Sequence, residues 1–157
     1  MATDSRNLDA LANNLKVDKA SKIAVITAEW NPQITSNLKQ GCTDKFIALG
    51  IPESNVLHIS VPGTVELTYA AAKVLSKNIA DAIVVIGSVI RGETAHFDYV
   101  CQSVTQGITQ LNLKAEIPVI FCVLTDDTLE QAKSRSGGKH GNKGEEAAIA
   151  ALQMIGI

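Results

Sequence analysis

The chain has 157 residues, 46% of them hydrophobic, and its 14 basic and 16 acidic side chains leave a formal net charge of −2. That length supports one sizeable core, and no Gly/Ser- or Pro-rich linker marks a second, so a single domain over 21–157 is expected behind a polar arm or tail, 1–20. Without a basic run there is no electrostatic footprint for nucleic acid or an anionic membrane, and without a long apolar segment no membrane span or secretory signal; a cytoplasmic protein is expected.

Four apolar runs read as buried parallel strands: KIAVIT (22–27), NVLHISV (55–61), AIVVIGS (82–88) and PVIFCVLT (118–125). Helical patterns separate them. Asn31 caps the first, Pro32 opens it, and Ile34, Leu38, Cys42, Lys45/Phe46 and Leu49 recur at helical spacing until Gly50. Pro62-Gly63-Thr64 opens the second, with Leu67, Ala70, Ala71 and Val74 inside. The third carries the cleanest amphipathic stripe, through Phe97, Val100, Cys101, Val104, Ile108 and Leu111. Asp127-Thr128-Leu129-Glu130 reads as a capping box for a short fourth helix ending before Gly137. Asn142-Lys143-Gly144-Glu145 opens the last, whose Ala148, Leu152 and Ile155 face inward.

Alternating strands and helices with short connections imply right-handed crossovers and a parallel sheet covered on both faces. The expected architecture is α/β: a three-layer αβα sandwich, flavodoxin-like, with a four-stranded parallel sheet. An extra strand could come from a neighbouring subunit's N-terminal arm. Cys42, Cys101 and Cys122, odd in number and set in apolar patterns, read as reduced core thiols rather than a disulfide framework or metal site.

Ligands of such sheets collect at the carboxyl ends of the strands. Trp30, the one tryptophan, stands there, either as a platform for a flat ligand or as a cap on the core. Gly63-Thr64 and Gly92-Glu93-Thr94 would each offer backbone N–H groups to an anion or carbonyl oxygen. His96 falls in the first turn of the third helix, where the helix dipole disfavours protonation and leaves a neutral base. His58 reads as a strand residue and His140 as a loop residue, and no histidine spacing suggests a metal. The loop SRSGGKHGNKGEE (134–146) gathers Arg135, Lys139, His140 and Lys143, either to bind phosphate or as a solvated connection. It lacks the Gly-Lys-Ser/Thr of a Walker loop, and Arg91 is a rival anion ligand.

Taken in order, AEWN (28–31), PGTVE (62–66), GSVIRGETAHFDYV (87–100), PVIFCVLT (118–125) and RSGGKHGNKG (135–144) resemble the 6,7-dimethyl-8-ribityllumazine synthase family from about Lys22 to Met154. The resemblance implies a transferase of riboflavin biosynthesis. It condenses 5-amino-6-(D-ribitylamino)uracil with 3,4-dihydroxy-2-butanone 4-phosphate and needs no metal or redox cofactor. It further implies that Trp30 and Asn31 meet the pyrimidine, that Thr64, Val65 and Glu66 hold the ribityl chain, and that Ser88, Val89 and Ile90 line the pyrimidine edge. Glu93 and Thr94 receive the phosphorylated substrate, and His96 is the general acid/base. Phe121, Arg135 and Lys143 come from a neighbouring subunit, Phe121 packing on the ring, Arg135 pairing with phosphate and Lys143 reaching the pyrimidine.

A homo-oligomer follows from that sharing, and the resemblance implies a pentamer, alone or twelve to an icosahedral shell, in association with riboflavin synthase. The chain departs from the family pattern at Val65, where an aromatic is common, and at Ser136, where Ala is. The fold alone would also accommodate a flavin- or nucleotide-binding module, or a shell protein without turnover.

Overall fold

A computed structural model of the chain describes Ala12, residues 15–155 and Ile157; most of the expected arm, 1–20, lies outside these. Four strands form the sheet: β1 (Ile23–Ala28), β2 (Val56–Val61), β3 (Ala82–Ile90) and β4 (Val119–Asp126). All pair in parallel, in the order β2-β1-β3-β4. The helices are α1 (Pro32–Ala48), α2 (Glu66–Lys77), α3 (His96–Asn112), α4 (Leu129–Arg135) and α5 (Lys143–Ile155). A short antiparallel ribbon, β5 (Ser136–Gly138) with β6 (Gly141–Asn142), joins the last two helices where only a loop is expected from the sequence.

Strand periodicity divides the core in two. Ile23, Val25, Val84, Ile86, Cys122 and Leu124 face one side and pack with Ile34, Leu38, Cys42 and Phe46 of α1 and Ala148 and Leu152 of α5. Ala24, Ile26, Ile83, Val85, Val119 and Val123 face the other, against Leu67, Ala71 and Val74 of α2 and Val104 and Ile108 of α3. The three-layer flavodoxin-like sandwich is therefore present, with β1 and β3 buried along nearly their whole length.

Several local expectations are corrected. β2 is an edge strand, buried only at its ends, Val56 and Val61, with Leu57 and His58 exposed between them, so it is not buried throughout. β3 runs two residues further, to Ile90, because Val89 and Ile90 pair with Thr125 and Asp126 of β4. Asn31 flanks α1 but does not cap it through its side chain: it sits in the left-handed region at φ 56°, and its Nδ2 donates instead to the Ser88 carbonyl at 2.9 Å. The fourth helix is capped one residue later than the sequence suggests. Thr128 Oγ1 accepts from Gln131 N at 3.2 Å, and Gln131 Oε1 accepts from Thr128 N at 3.3 Å, closing the box without Glu130. For α5, Asn142 Oδ1 accepts from Gly144 N at 2.8 Å, while Glu145 turns to Lys45 at 3.2 Å.

The end of α1 follows its sequence signal. Gly50, at φ 98°, donates to Ile47 O, and Ile51 donates to Phe46 O, the paired bonds of a Schellman stop.

Candidate active site

The connections of β1 and β3 leave the sheet toward opposite faces, α1 on one and α3 on the other. A crevice opens between neighbouring strands whose connections diverge, and this is where such sheets hold ligands. Asn31 spans it, tying the end of β1 to the Ser88 carbonyl of β3.

Three packing relations assemble the rim. Trp30 is 71% exposed, so it does not cap the core; its ring lies against the Pro62–Gly63 turn. A Cβ at Gly63 would come within 3.4 Å of Trp30 Cδ1 and 2.9 Å of Glu66 Oε2, so the indole and the carboxylate flank this turn. Thr64 is buried, its Oγ1 3.0 Å from where a Cβ on Gly87 would stand, which seats the start of α2 directly on β3. Val65 remains exposed at 42%. Ser88 is buried with Oγ lacking a hydrogen-bond partner, and Val89 and Ile90 are half-buried at the strand's end.

Beyond β3, Arg91 is anchored rather than available. Its Nε donates to Asp127 Oδ1 at 2.8 Å, its Nη1 to Asp98 Oδ1 at 3.2 Å, and its guanidinium lies 4.0 Å from the centre of the Phe97 ring. This clamp fixes both ends of the Gly92–Ala95 turn, because Asp98 and Phe97 belong to the first turn of α3. With Asp98 and Asp127 both paired to it, Arg91 is not a free cation in this structure. Glu93, Thr94 and His96 stand exposed on the turn, and Thr94 Oγ1 accepts from His96 N at 3.4 Å. His96 is the first residue of α3, as the amphipathic stripe requires.

One chain thus brings together an aromatic platform, a turn with free backbone donors at a helix N-terminus, and an exposed imidazole. That combination can stack a planar ring, hold an oxyanion and transfer protons.

Phe121, Arg135 and Lys143 are not part of that rim. Phe121 is in register with Val85, three residues short of the Ser88 level, or roughly 10 Å along the strand. It stands 40% exposed on the edge strand β4. Arg135 closes α4, its Nη1 donating to Gln131 O at 3.1 Å and Ser134 Oγ at 3.3 Å and lying 3.7 Å from Asp126 Oδ1. Lys143 opens α5, on the face of β4 opposite Phe121, with Nζ 2.5 Å from Glu146 Oε1 and its carbonyl accepting from Cys122 Sγ at 3.5 Å. The cationic loop is therefore dispersed over the β5–β6 ribbon rather than focused.

Sequence reasoning missed the pairing of Asp126 with Arg135 and of Asp127 with Arg91, because these pairs join residues that only folding brings together. A cleft of about 520 Å³ between α1 and the ribbon, reaching Asn37, Asp44 and Glu145, includes none of the predicted site residues. Among the described residues no group of three or more His, Cys, Asp or Glu is placed to hold a metal, and no helix is long and apolar enough to cross a membrane.

Fold and rim together define a flavodoxin-like α/β protein with a crevice at the switch point of its sheet. The model of the 6,7-dimethyl-8-ribityllumazine synthase family matches residues 20–157, and the chain belongs to that family. Relatives bearing the same name are 50% identical in Christiangramia forsetii, over 98% of this chain and 93% of the relative, and 49% identical in Porphyromonas gingivalis, over 100% and 98%. Another, from Flavobacterium johnsoniae, is 48% identical over 100% of this chain and 83% of its own length.

Proposed function

We propose that the rim is one half of an active site completed by a second copy of the chain. There this transferase condenses 5-amino-6-(D-ribitylamino)uracil with 3,4-dihydroxy-2-butanone 4-phosphate to 6,7-dimethyl-8-ribityllumazine, releasing phosphate and water. The observation that carries the reading is the division of the family's residues. Eleven, from Trp30 to His96, lie on one rim, while Phe121, Arg135 and Lys143 lie on or beyond the edge strand.

In this reading Trp30 stacks on the pyrimidine, Asn31 supports it, and the backbone of Ser88, Val89 and Ile90 meets its edge. Thr64, Val65 and Glu66 hold the ribityl chain. Glu93 and Thr94 present the turn to the phosphorylated substrate, and Arg135 of the second copy clamps its phosphate. Phe121 and Lys143 of that copy close over the ring. Val65 contributes backbone contacts in place of an aromatic side chain.

Imine formation, phosphate elimination and ring closure are all proton-transfer steps, and His96, exposed at the helix start, serves as their acid and base. Holding two substrates together supplies the rest. The folded unit is the single domain 21–157, acting in the cytoplasm as a ring of five, alone or closed twelve-fold into a shell, with riboflavin synthase as a partner.

Mixing two defective chains tests this. His96→Ala is expected to lower turnover about tenfold or more, less than a typical acid–base group contributes because water reaches the exposed imidazole. Arg135→Ala loses use of the phosphorylated substrate. Unfolded together in equal amounts and reassembled, they regain product formation at about one quarter of the sites, where an intact His96 meets an intact Arg135 from its neighbour. Activity no greater than the mean of the separate variants would show that each chain carries its own complete site. Light scattering on the same samples gives the particle size.

A further inference from the structure

We infer that Asp126 is a positioning residue that holds the Arg135 guanidinium in the phosphate-free site and limits how tightly that site retains inorganic phosphate. The inference rests on the assignment of Arg135 as the phosphate ligand.

Two aspartates end β4 and begin its connection, and they hold different arginines. Asp127 is exposed and bonds Arg91 at 2.8 Å. Asp126 points the other way, into the α1/α5 side of the sheet, with its side chain only 7% exposed. Its Oδ1 lies 3.7 Å from Arg135 Nη1, beyond hydrogen-bond reach, and its Oδ2 is buried with no hydrogen-bond partner. A buried carboxylate with a single long contact is poorly compensated. Burial accordingly raises its proton affinity, opposed by the charge of Arg135 and reinforced by that of Asp127. Neither a core contact nor a cap explains why a charged group occupies this place.

The other side of the pair supplies a reason. Arg135 is about one-third exposed, and the same Nη1 that faces Asp126 is directed by Gln131 O and Ser134 Oγ. The guanidinium is thus restrained from behind and open in front. A phosphate dianion reaching it is attracted by the arginine and repelled by the fixed carboxylate behind. Because phosphate is released in each turnover, binding it equally as part of substrate and as product would slow release without helping the chemistry. Asp126 weakens that uniform binding while leaving the orientation of the guanidinium in place.

Asp126→Asn, nearly isosteric, removes the charge alone. In the assembled protein, with inorganic phosphate as the probe, inhibition against the butanone phosphate and direct calorimetric titration should both show affinity rising at least about threefold. KM for the phosphorylated substrate should fall with it, and kcat should fall as release slows. In an Arg135→Ala background the same change should leave phosphate affinity low, because without the guanidinium the anion is no longer held beside the carboxylate. Asp126→Ser serves as a second variant if the Asn protein does not assemble. Phosphate affinity equal to or weaker than wild type in the assembled variant would overturn the inference. If Arg135→Ala alone leaves phosphate binding unchanged, the assignment of Arg135 fails instead.

Discussion

Gly144 of α5 packs directly against the backbone of α1, and adding one methyl group there has a calculable cost. A Cβ at this position would fall on the Leu38 carbonyl oxygen of α1, 2.8 Å from its carbon and 3.0 Å from Asn142 Oδ1. The obstacle is backbone in the middle of a helix, so no rotamer change relieves it; α5 has to retreat. Overpacking of this kind costs about 1–3 kcal/mol, and a rigid partner places it at the upper end. The gain in helix propensity from Gly to Ala, at most about 1 kcal/mol, offsets part of that.

A net loss of about 2 kcal/mol in a chain of this size lowers Tm by roughly 4–8 °C. Scanning calorimetry of Gly144→Ala at fixed protein concentration, so that assembly contributes equally, measures it. Gly92→Ala is the control: a Cβ there meets nothing within 4 Å, and stability should stay within about 0.5 kcal/mol. Equal melting of Gly144→Ala and wild type would refute the packing argument.

The thiols and Asp126 give two further tests. Burial, followed by the charge of Glu146, pushes the Cys122 thiol up to about 12, and burial with Cys122 nearby raises Cys42 well above its usual range. At pH 8 a disulfide-exchange reagent should therefore label no more than one of the three thiols, Cys101, until the protein is unfolded; fast native labelling of two would contradict the burial. Burial also lifts the Asp126 carboxyl above 3.8, against the pull of Arg135. Between its unfolded and folded values the native chain binds more protons than the unfolded one, so stability falls as pH rises through that interval. Asp126→Asn should accordingly be more stable than wild type at pH 7, with the advantage shrinking as pH drops through the carboxylate range. Denaturant titrations showing an advantage that grows toward acid would reverse the sign.

What the sequence reveals follows what it can encode locally. β1 and β3 stand out because burial on both faces leaves unbroken apolar runs, and α3 because Phe97, Val104 and Ile108 repeat at helical spacing. His96, Trp30 and the Gly63 turn are legible for the same reason: each sits at a boundary the pattern itself marks. β2 misleads, since VLHISV reads as buried although the strand lies at the sheet's edge. Asn31 misleads in another way, as its residue type suits a cap but its side chain finds the Ser88 carbonyl, 57 residues away. Arg91 and Arg135 look alike as loose cations in turns. Only folding reveals that one is held by two aspartates and the other is tethered at longer range to a buried third. Such pairings depend on tertiary distance and leave no periodic trace.

The sheet that separates the two core clusters also acts as a partition between inheritable parts. Residues around His96 and Thr64 are mounted on α2 and α3, whereas Arg135 and Lys143 are mounted on α4 and α5, across the strands. A substitution that repacks one layer leaves the other layer's side chains untouched. The supports of His96 and of Arg135 can therefore drift separately under selection, and repacking beneath the one need not be matched by changes beneath the other.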